Sequence, residues 1–468
     1  MWREKIEAYL ETHKEEMVKD IFRLCRINSE RMPAREGEPF GHGVAHALDV
    51  AKEMAETYGF RTRNYDNYAL AVDLNDKEPQ LDILTHLDVV PAGEGWSLTE
   101  PYVPILKDGN IYARGAADNK GPAVAAMYAL RAVKDLQIPL RKRCRLLFGT
   151  DEESGFADIA HYYSVEKEAP MTFAPDLAFP VINVEKGPTG ISFKAVFPKN
   201  DLLPRLISLD CGVKGNVVPG KAYSVVEGLS REQMEKIGAE ATKETGVEFL
   251  LEVVDENRVK IVAVGQSAHA ALCSEGNNPI TAILTYLDML PLASCPQTRA
   301  IRNLLTLIPH GDLTGEHLGI AMQDELSGPL SLAFTMLRAD GLELTGYLDC
   351  RTPLCATEEN FIQVAKQRME ACGFLWTDVK RKLPHHIPAE SPFVQTLLRV
   401  YEAYTGRKGN CESRGGYTYV HGLKNGVAFG AAMPGTDNRM HGADEFVVLD
   451  ELLMSAKIFA GVILELCT

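Results

Sequence analysis

Five short stretches concentrate residues that could hold a cation or move a proton: HLDVVPAG from residue 86, GAADNKGP from 115, GTDEESG from 149, PDLAFP from 175 and MPGTDNRMHGADE from 433. In the first, an apolar run delivers His86 and, two positions on, Asp88. Residues two apart in extended chain share a face, so the carboxylate could accept the second ring N–H of a metal-bound histidine. A turn-leading Asp beside a half-buried His is the plain alternative. Asp118 lies between Gly115 and Gly121 at a strand-to-helix junction, where glycine lets backbone approach a ligand closely. An Asp ahead of a helix is also an ordinary N-cap. The phosphate-cradling spacing GxxxxGK[ST] is missing there, so a P-loop is not expected. Asp151, Glu152 and Glu153 follow an apolar strand. One acid at a helix start needs no further explanation, whereas three adjacent carboxylates repel one another unless a cation or a shared proton compensates them. Asp176 between prolines and His441 in a glycine-flanked loop read singly as a loop acid and a surface imidazole.

Taken together these are nitrogen and oxygen donors with no cysteine among them. Such a set suits Zn²⁺, Mn²⁺ or Co²⁺. There are enough carboxylates for two divalent ions bridged by one of them, an arrangement that activates water and steadies a developing oxyanion.

The elements that must position these residues follow from hydrophobic spacing. Trp2, Ile6, Tyr9, Leu10, Met17, Ile21 and Leu24 recur at helical intervals among charges, which predicts an opening amphipathic helix. A second helix is predicted near 43–57. The runs ALAVDL (69–74), LDILTH (81–86) and RCRLLFGT (143–150) predict short buried strands. NKGPAVAAMYALRAVKDL (119–136), with Pro122 near its start, predicts the helix between the last two. Strand, helix, strand with polar residues at strand ends is the pattern of an α/β sheet covered by helices. From residue 187 the texture changes, and after LPHHIP (383–388) a long helical pattern returns, ending in a predicted helix near 446–466. The sequence therefore predicts one domain built from 1–186 and 383–468, with a second domain, 187–382, inserted between them. His385 and His386 fit no ligand spacing and are expected to be structural.

These stretches, in this order and across nearly the whole chain, resemble the dinuclear metallopeptidase family that includes aminoacylases, glutamate carboxypeptidase and Xaa-His dipeptidases. The likeness is strongest to its single-chain bacterial dipeptidase branch, the dipeptidase V type. The resemblance implies a zinc-peptidase-like catalytic domain with a central mixed sheet flanked by helices, plus an inserted α+β lid domain. It makes Asp118 the bridging ligand, with His86 and Asp176 on one ion and Glu153 and His441 on the other. Glu152 would be the general base and Asp88 would orient His86. A cis peptide is implied between Asp118 and Asn119. The insert also matches: GNVVP contains Asn216, GQSAHA contains His269 and LDCRTP contains Arg351. By resemblance His269, assisted by Asn216, stabilises the oxyanion, Arg351 holds the substrate carboxylate, and Gly415 and Gly416 of GGYTY contact substrate termini. Cys273 and Cys350 place thiols beside these motifs and are assigned no catalytic role.

Composition narrows the partners. Lys and Arg number 49 against 64 Asp and Glu, a formal charge of −15, which argues against nucleic acid or an anionic membrane surface. At 468 residues and 46% apolar content a core forms without metal or disulfide staples, so any metal is expected to be catalytic. The opening MWREKIEAYLETHKEEM lacks a signal peptide's apolar core, and no uncharged apolar run is long enough to span a membrane. Ten scattered cysteines read as reduced thiols of a cytoplasmic protein. The expectation is a two-metal dipeptidase acting on a small peptide substrate with both termini free. The long insert suits a monomer, with a dimer as the alternative. The alternative functions are an N-acyl-amino-acid amidohydrolase and a non-catalytic metal- or peptide-binding protein.

Overall fold

The computed structural model describes residues 2–468. The described residues form two compact units: 2–184 with 386–412 and 417–468, and 185–385 with 413–416. The sequence predicts 187–382 for the inserted domain. Ser413–Gly416 join the second unit because their backbone is held there: the N–H of Lys186 donates to the Arg414 carbonyl at 2.9 Å, and Arg351 Nη1 donates to the Gly415 carbonyl at 3.2 Å.

In the first unit a mixed sheet runs, in spatial order, Arg61–Tyr65, Ala69–Asp73, Arg143–Gly149, Pro79–His86, Met171–Ala174, Gly426–Ala428 and Val181–Glu185. Pro79–His86 is parallel to both neighbours, with Ile83 opposite Leu146 and Leu81 opposite Met171. Strands covered on both faces read as unbroken apolar runs, and Ile83, Leu84, Leu146 and Leu147 are each fully buried. Parallel strands end on the same side of a sheet, so the chain leaving each of them arrives in one place. His86 pairs with Gly149, which puts the start of the acidic loop beside it.

Two buried helices, Lys120–Asp135 and Leu449–Cys467, share one core with these strands. Lys120–Asp135 is buried nearly all round, as its Ala-rich sequence and the uncharged run Gly121–Leu130 require. Leu449–Cys467 begins later than the predicted 446 because Phe446–Val448 pairs antiparallel with Asn110–Tyr112. The opening helix is two, Trp2–Thr12 and Lys14–Cys25. The ladder continues through His13, whose backbone opens to φ −99° and ψ 8°, so the apolar side chains Ile6, Leu10, Met17, Ile21 and Leu24 still reach one core.

The second unit is α+β. Its eight-stranded antiparallel sheet has the order Glu248–Val253, Arg258–Val264, Lys221–Glu227, Arg205–Cys211, Ser331–Ala339, Glu343–Thr352, Gly187–Val196 and Leu375–Arg381. Burial alternates along Lys221–Glu227, the signature of a sheet with one covered face. The core includes side chains from Arg231–Thr245, Pro279–Met289 and Pro296–Leu307. Ser230 and Gln233 form a capping box on the first of these helices. The α/β class with an added α+β unit agrees with the fold expected from sequence.

Candidate metal centre

The centre lies in the first unit, at the ends of the parallel strands. Asp118 is its middle. One carboxylate oxygen, Oδ1, lies 2.9 Å from His86 Nε2, and the other, Oδ2, lies 2.9 Å from His441 Nε2. Asp176 Oδ1 is 3.4 Å from His86 Nε2, and Glu153 Oε1 is 3.4 Å from His441 Nε2. The result is two trios, His86–Asp118–Asp176 and Asp118–Glu153–His441, each with ligand atoms within 4.8 Å of one another. Ligand atoms around a tetrahedral ion with bonds of about 2.0–2.1 Å stand roughly 3.3 Å apart, so the spacings match. Glu153 Oε1 is also buried without a hydrogen-bond donor, a state that a cation relieves. The residues fit two cations sharing Asp118.

Electrostatics point the same way. Burial pushes the His86 pKa down, but Asp176, Asp118 and Asp88 outweigh it and hold it well above the usual range. For His441, burial is likewise overcome by Asp118 and Glu153, and its pKa rises to about 11. Burial pushes Glu153 up to about 7, with Asp118 adding to it, and Asp176 up to about 6. Glu152 is driven well up by burial and by the charges of Asp176 and Glu153. Burial opposes ionisation of Asp118 as well, yet the two histidines hold its carboxyl far below the carboxylate range.

The surrounding residues explain how the ligands are aimed. His86 Nδ1 contacts the Asp88 carbonyl oxygen at 3.0 Å and the Asp88 carboxylate at 3.4 Å. The backbone carbonyl is thus the nearer partner, and the ring is fixed with Nε2 facing Asp118. The Asp88 carboxylate instead accepts the N–H groups of Glu152 at 3.2 Å and Glu153 at 3.0 Å. Asn119 Nδ2 donates to Asp176 Oδ1 at 2.7 Å and to the Pro175 carbonyl at 2.8 Å. The peptide between Asp118 and Asn119 is cis. Asp158 accepts the N–H of Thr150 at 2.6 Å and of Asp151 at 3.0 Å, together with the Tyr419 hydroxyl. The Tyr419 ring stands edge-on to His86, centroids 6.2 Å apart. The buried Glu445 accepts the N–H groups of Gly115, Ala117 and Asp118.

Sequence reasoning assigned no role to Asn119, Asp158, Tyr419, Glu445 or Arg114. Asn119, Glu445 and Arg114 fall inside or next to the motifs, but what they do is bond backbone and steady a neighbouring carboxylate or guanidinium, and no spacing rule announces that.

The residues expected to touch substrate lie in the second unit. Val217, next to Asn216, is paired with His269 across a two-residue ladder, and Ala270 N–H donates to the Asn216 carbonyl at 2.9 Å. His269 Nδ1 accepts from the Ala271 N–H at 3.2 Å. Arg351 is buried, grips Asp349 through two donors at 2.7 and 3.0 Å, and reaches the Gly415 carbonyl. Gly415 packs where an added Cβ would meet Ala271 at 3.0 Å, whereas Gly416 has open space. Cys273 and Cys350 are buried, and burial raises both thiol pKa values, which disfavours the nucleophilic thiolate. His385 and His386 form a two-residue strand.

Comparison with known proteins returns a consistent pattern. The profile of the peptidase family M20/M25/M40 matches residues 83–465. The protein named "Putative dipeptidase YtjP" of Bacillus subtilis is 36% identical over 463 residues, covering 97% of each chain. The Beta-Ala-Xaa dipeptidase of Lactobacillus delbrueckii subsp. lactis is 32% identical over 462 residues, again 97% of each. The crystal structure of human carnosine dipeptidase 1 shares the fold at 15% identity, with a TM-score of 0.59 over 99% of each chain.

Proposed function

The chain belongs to the peptidase family M20/M25/M40, and we propose that it hydrolyses dipeptides whose amino and carboxyl termini are both free. One observation carries the chemical part of this reading: the two oxygens of Asp118 face His86 and His441 at the same 2.9 Å, each completed by a second carboxylate. Two divalent ions, Zn²⁺ or Mn²⁺ with Co²⁺ as a substitute, would there lower the pKa of a water and polarise the scissile carbonyl.

The chain's own residues do the rest. Glu152 takes the proton of the attacking water and passes it to the leaving amine, a role suited to a carboxyl whose pKa burial has raised well above the usual carboxylate range. Asp88 fixes Glu152 and Glu153 through their N–H groups. We assign His269 and Asn216 to the oxyanion, Arg351 to the substrate carboxylate, and Gly415 and Gly416 to the substrate backbone, with the second unit serving as lid. Their motifs support this, as does the Arg351–Gly415 contact. The dipeptide preference is supported by relatives named as dipeptidases over nearly their full length.

We further assign the protein to the cytoplasm as a monomer. Ten free cysteines support a reducing compartment, and among the described residues no helix is long and apolar enough to cross a membrane. The test is a dipeptide panel on chelated protein with single metals restored, run beside the N-acetylated forms. Turnover of free dipeptides is expected. Preference for the blocked compounds would replace this reading with a deacylase.

A further inference from the structure

The two halves of the centre depend on loops far apart in sequence, and one buried ion pair joins them. Glu445 is fully buried and Arg114 is 1% exposed. Glu445 Oε2 accepts from Arg114 Nη1 at 2.5 Å and from the Gly115 N–H at 3.2 Å. Its Oε1 accepts from the Ala117 N–H at 2.9 Å and the Asp118 N–H at 3.2 Å. Arg114 Nη2 then donates to the carbonyls of His441 at 3.3 Å, Ala92 at 3.1 Å and Pro91 at 3.4 Å. The Trp96 ring lies against the guanidinium, 5.5 Å from its centroid, and Trp96 Nε1 donates to the same Ala92 carbonyl.

Three of the five motif segments therefore meet on one pair of charges: the loop after His86, the loop of Asp118 and the loop of His441. The His86–Asp118–Asp176 trio has further local supports in the Asp88 carbonyl and Asn119. Among the described residues, the His441 ring meets only Asp118 and Glu153. Its ring is half-exposed, with its side chain 49% accessible, and its backbone sits at φ 64°, a conformation that a non-glycine residue holds only where its surroundings impose it.

We propose that Arg114 and Glu445 are positioning residues that set the separation of Asp118 and His441, and thereby the affinity of the Asp118–Glu153–His441 site for its cation. This rests on the two-cation reading above. Removing the charge at Glu445 leaves Arg114 buried without a counter-charge, and the guanidinium can then no longer hold both loops.

The experiment is competition of Zn²⁺ against a chromophoric chelator, with bound metal counted, on the full chain and on Glu445→Gln. Arg145→Met serves as a control. Arg145 is a buried arginine of the same unit, paired with Asp73 at 2.8 and 2.9 Å and making no contact with a ligand. The expected result is two ions in the wild type, a loss of at least tenfold in affinity for one ion in Glu445→Gln, and no such loss in Arg145→Met. Two ions bound as tightly by Glu445→Gln as by wild type would overturn the positioning role and leave the two-cation centre standing. A wild type that never takes a second ion would overturn the centre itself, and this inference with it. Equal weakening in Arg145→Met would reduce the effect to general instability and also overturn it. Should Glu445→Gln not fold, Arg114→Lys replaces it: lysine keeps the cation beside Glu445 but cannot span to both Ala92 and His441, and the same selective loss is expected.

Discussion

The Asp88 carboxylate accepts the backbone N–H of Glu153 at 3.0 Å, so a residue two positions past one proposed ligand fixes the loop that carries another. Its second oxygen does the same for Glu152. Asp88 thus acts mainly on the neighbouring strand's loop. Asp88→Ala should leave two N–H groups without acceptors, at about 1–3 kcal/mol each if they stay dry. Displacing Glu152 by about an ångström should cost on the order of a hundredfold in kcat. Steady-state kinetics with a denaturant melt check both, and a kcat within threefold of wild type contradicts the assignment.

Glu152→Gln keeps the size of the side chain and removes its ability to take a proton. Metal content should be unchanged while kcat drops by about 10²–10⁴, the usual range for a general base. Metal analysis beside turnover separates this from loss of the centre: a variant that loses metal along with activity would make Glu152 a ligand.

Chelated protein should show an unusual pH dependence. Glu153 and Asp176, with pKa values near 7 and 6 in the folded chain, bind more protons folded than unfolded, so stability falls as pH rises from about 4 to 7. His441, raised to about 11, contributes stability that is complete below its unfolded pKa of about 6.5 and is lost as pH climbs toward 11. Asp118, held low, works oppositely, and its contribution disappears only in acid below about pH 4. The metal-free chain should therefore melt at lower temperature at pH 8 than at pH 5, and the gain on adding Zn²⁺ should grow over the same interval as cations replace protons. Calorimetry at both pH values decides it, with a flat or rising melting temperature as the contrary result.

Gly121 follows Asp118 by three residues at the start of a buried helix. A Cβ there would lie 2.2 Å from the Ala116 carbonyl oxygen, a backbone atom that cannot swing aside. Gly121→Ala should cost about 1–3 kcal/mol through overpacking and should lower metal affinity by moving the Asp118 loop. A melting curve and a chelator titration test the two effects separately.

Much of this centre could be read from sequence because strand ends leave a clear trace. The apolar runs before His86 and Asp151 announce buried parallel strands, and the residues that follow such strands gather at one edge of the sheet. His441 and Asp176 stand out by residue type, but their place in the centre was legible only through resemblance, since a loop histidine and an acid between prolines have no periodicity to place them. The break at His13 escaped because the helical hydrogen bonds run on across it, and the Phe446–Val448 pairing because its partner strand, Asn110–Tyr112, is far off in sequence. Glu445 and Asn119 escaped for a further reason: each satisfies backbone or orients a ligand, work that any acid or amide could do, and only coordinates show which one does it. The carboxylate of Asp88 was expected to serve the His86 ring, yet its oxygens lie closer to two N–H groups that no linear pattern links to it.

His441 and Asp118, which meet at 2.9 Å, are 323 residues apart in the chain. On the ribosome, at about 5–20 residues per second, the growing polypeptide carries Asp118, Glu153 and Asp176 for on the order of half a minute before the last imidazole is made. Through that interval the nascent chain holds an acidic cluster short of one donor. On the two-cation reading proposed above, full loading with metal would therefore be an event of late synthesis or release, and fragments that end before His441 would leave the ribosome under-metallated.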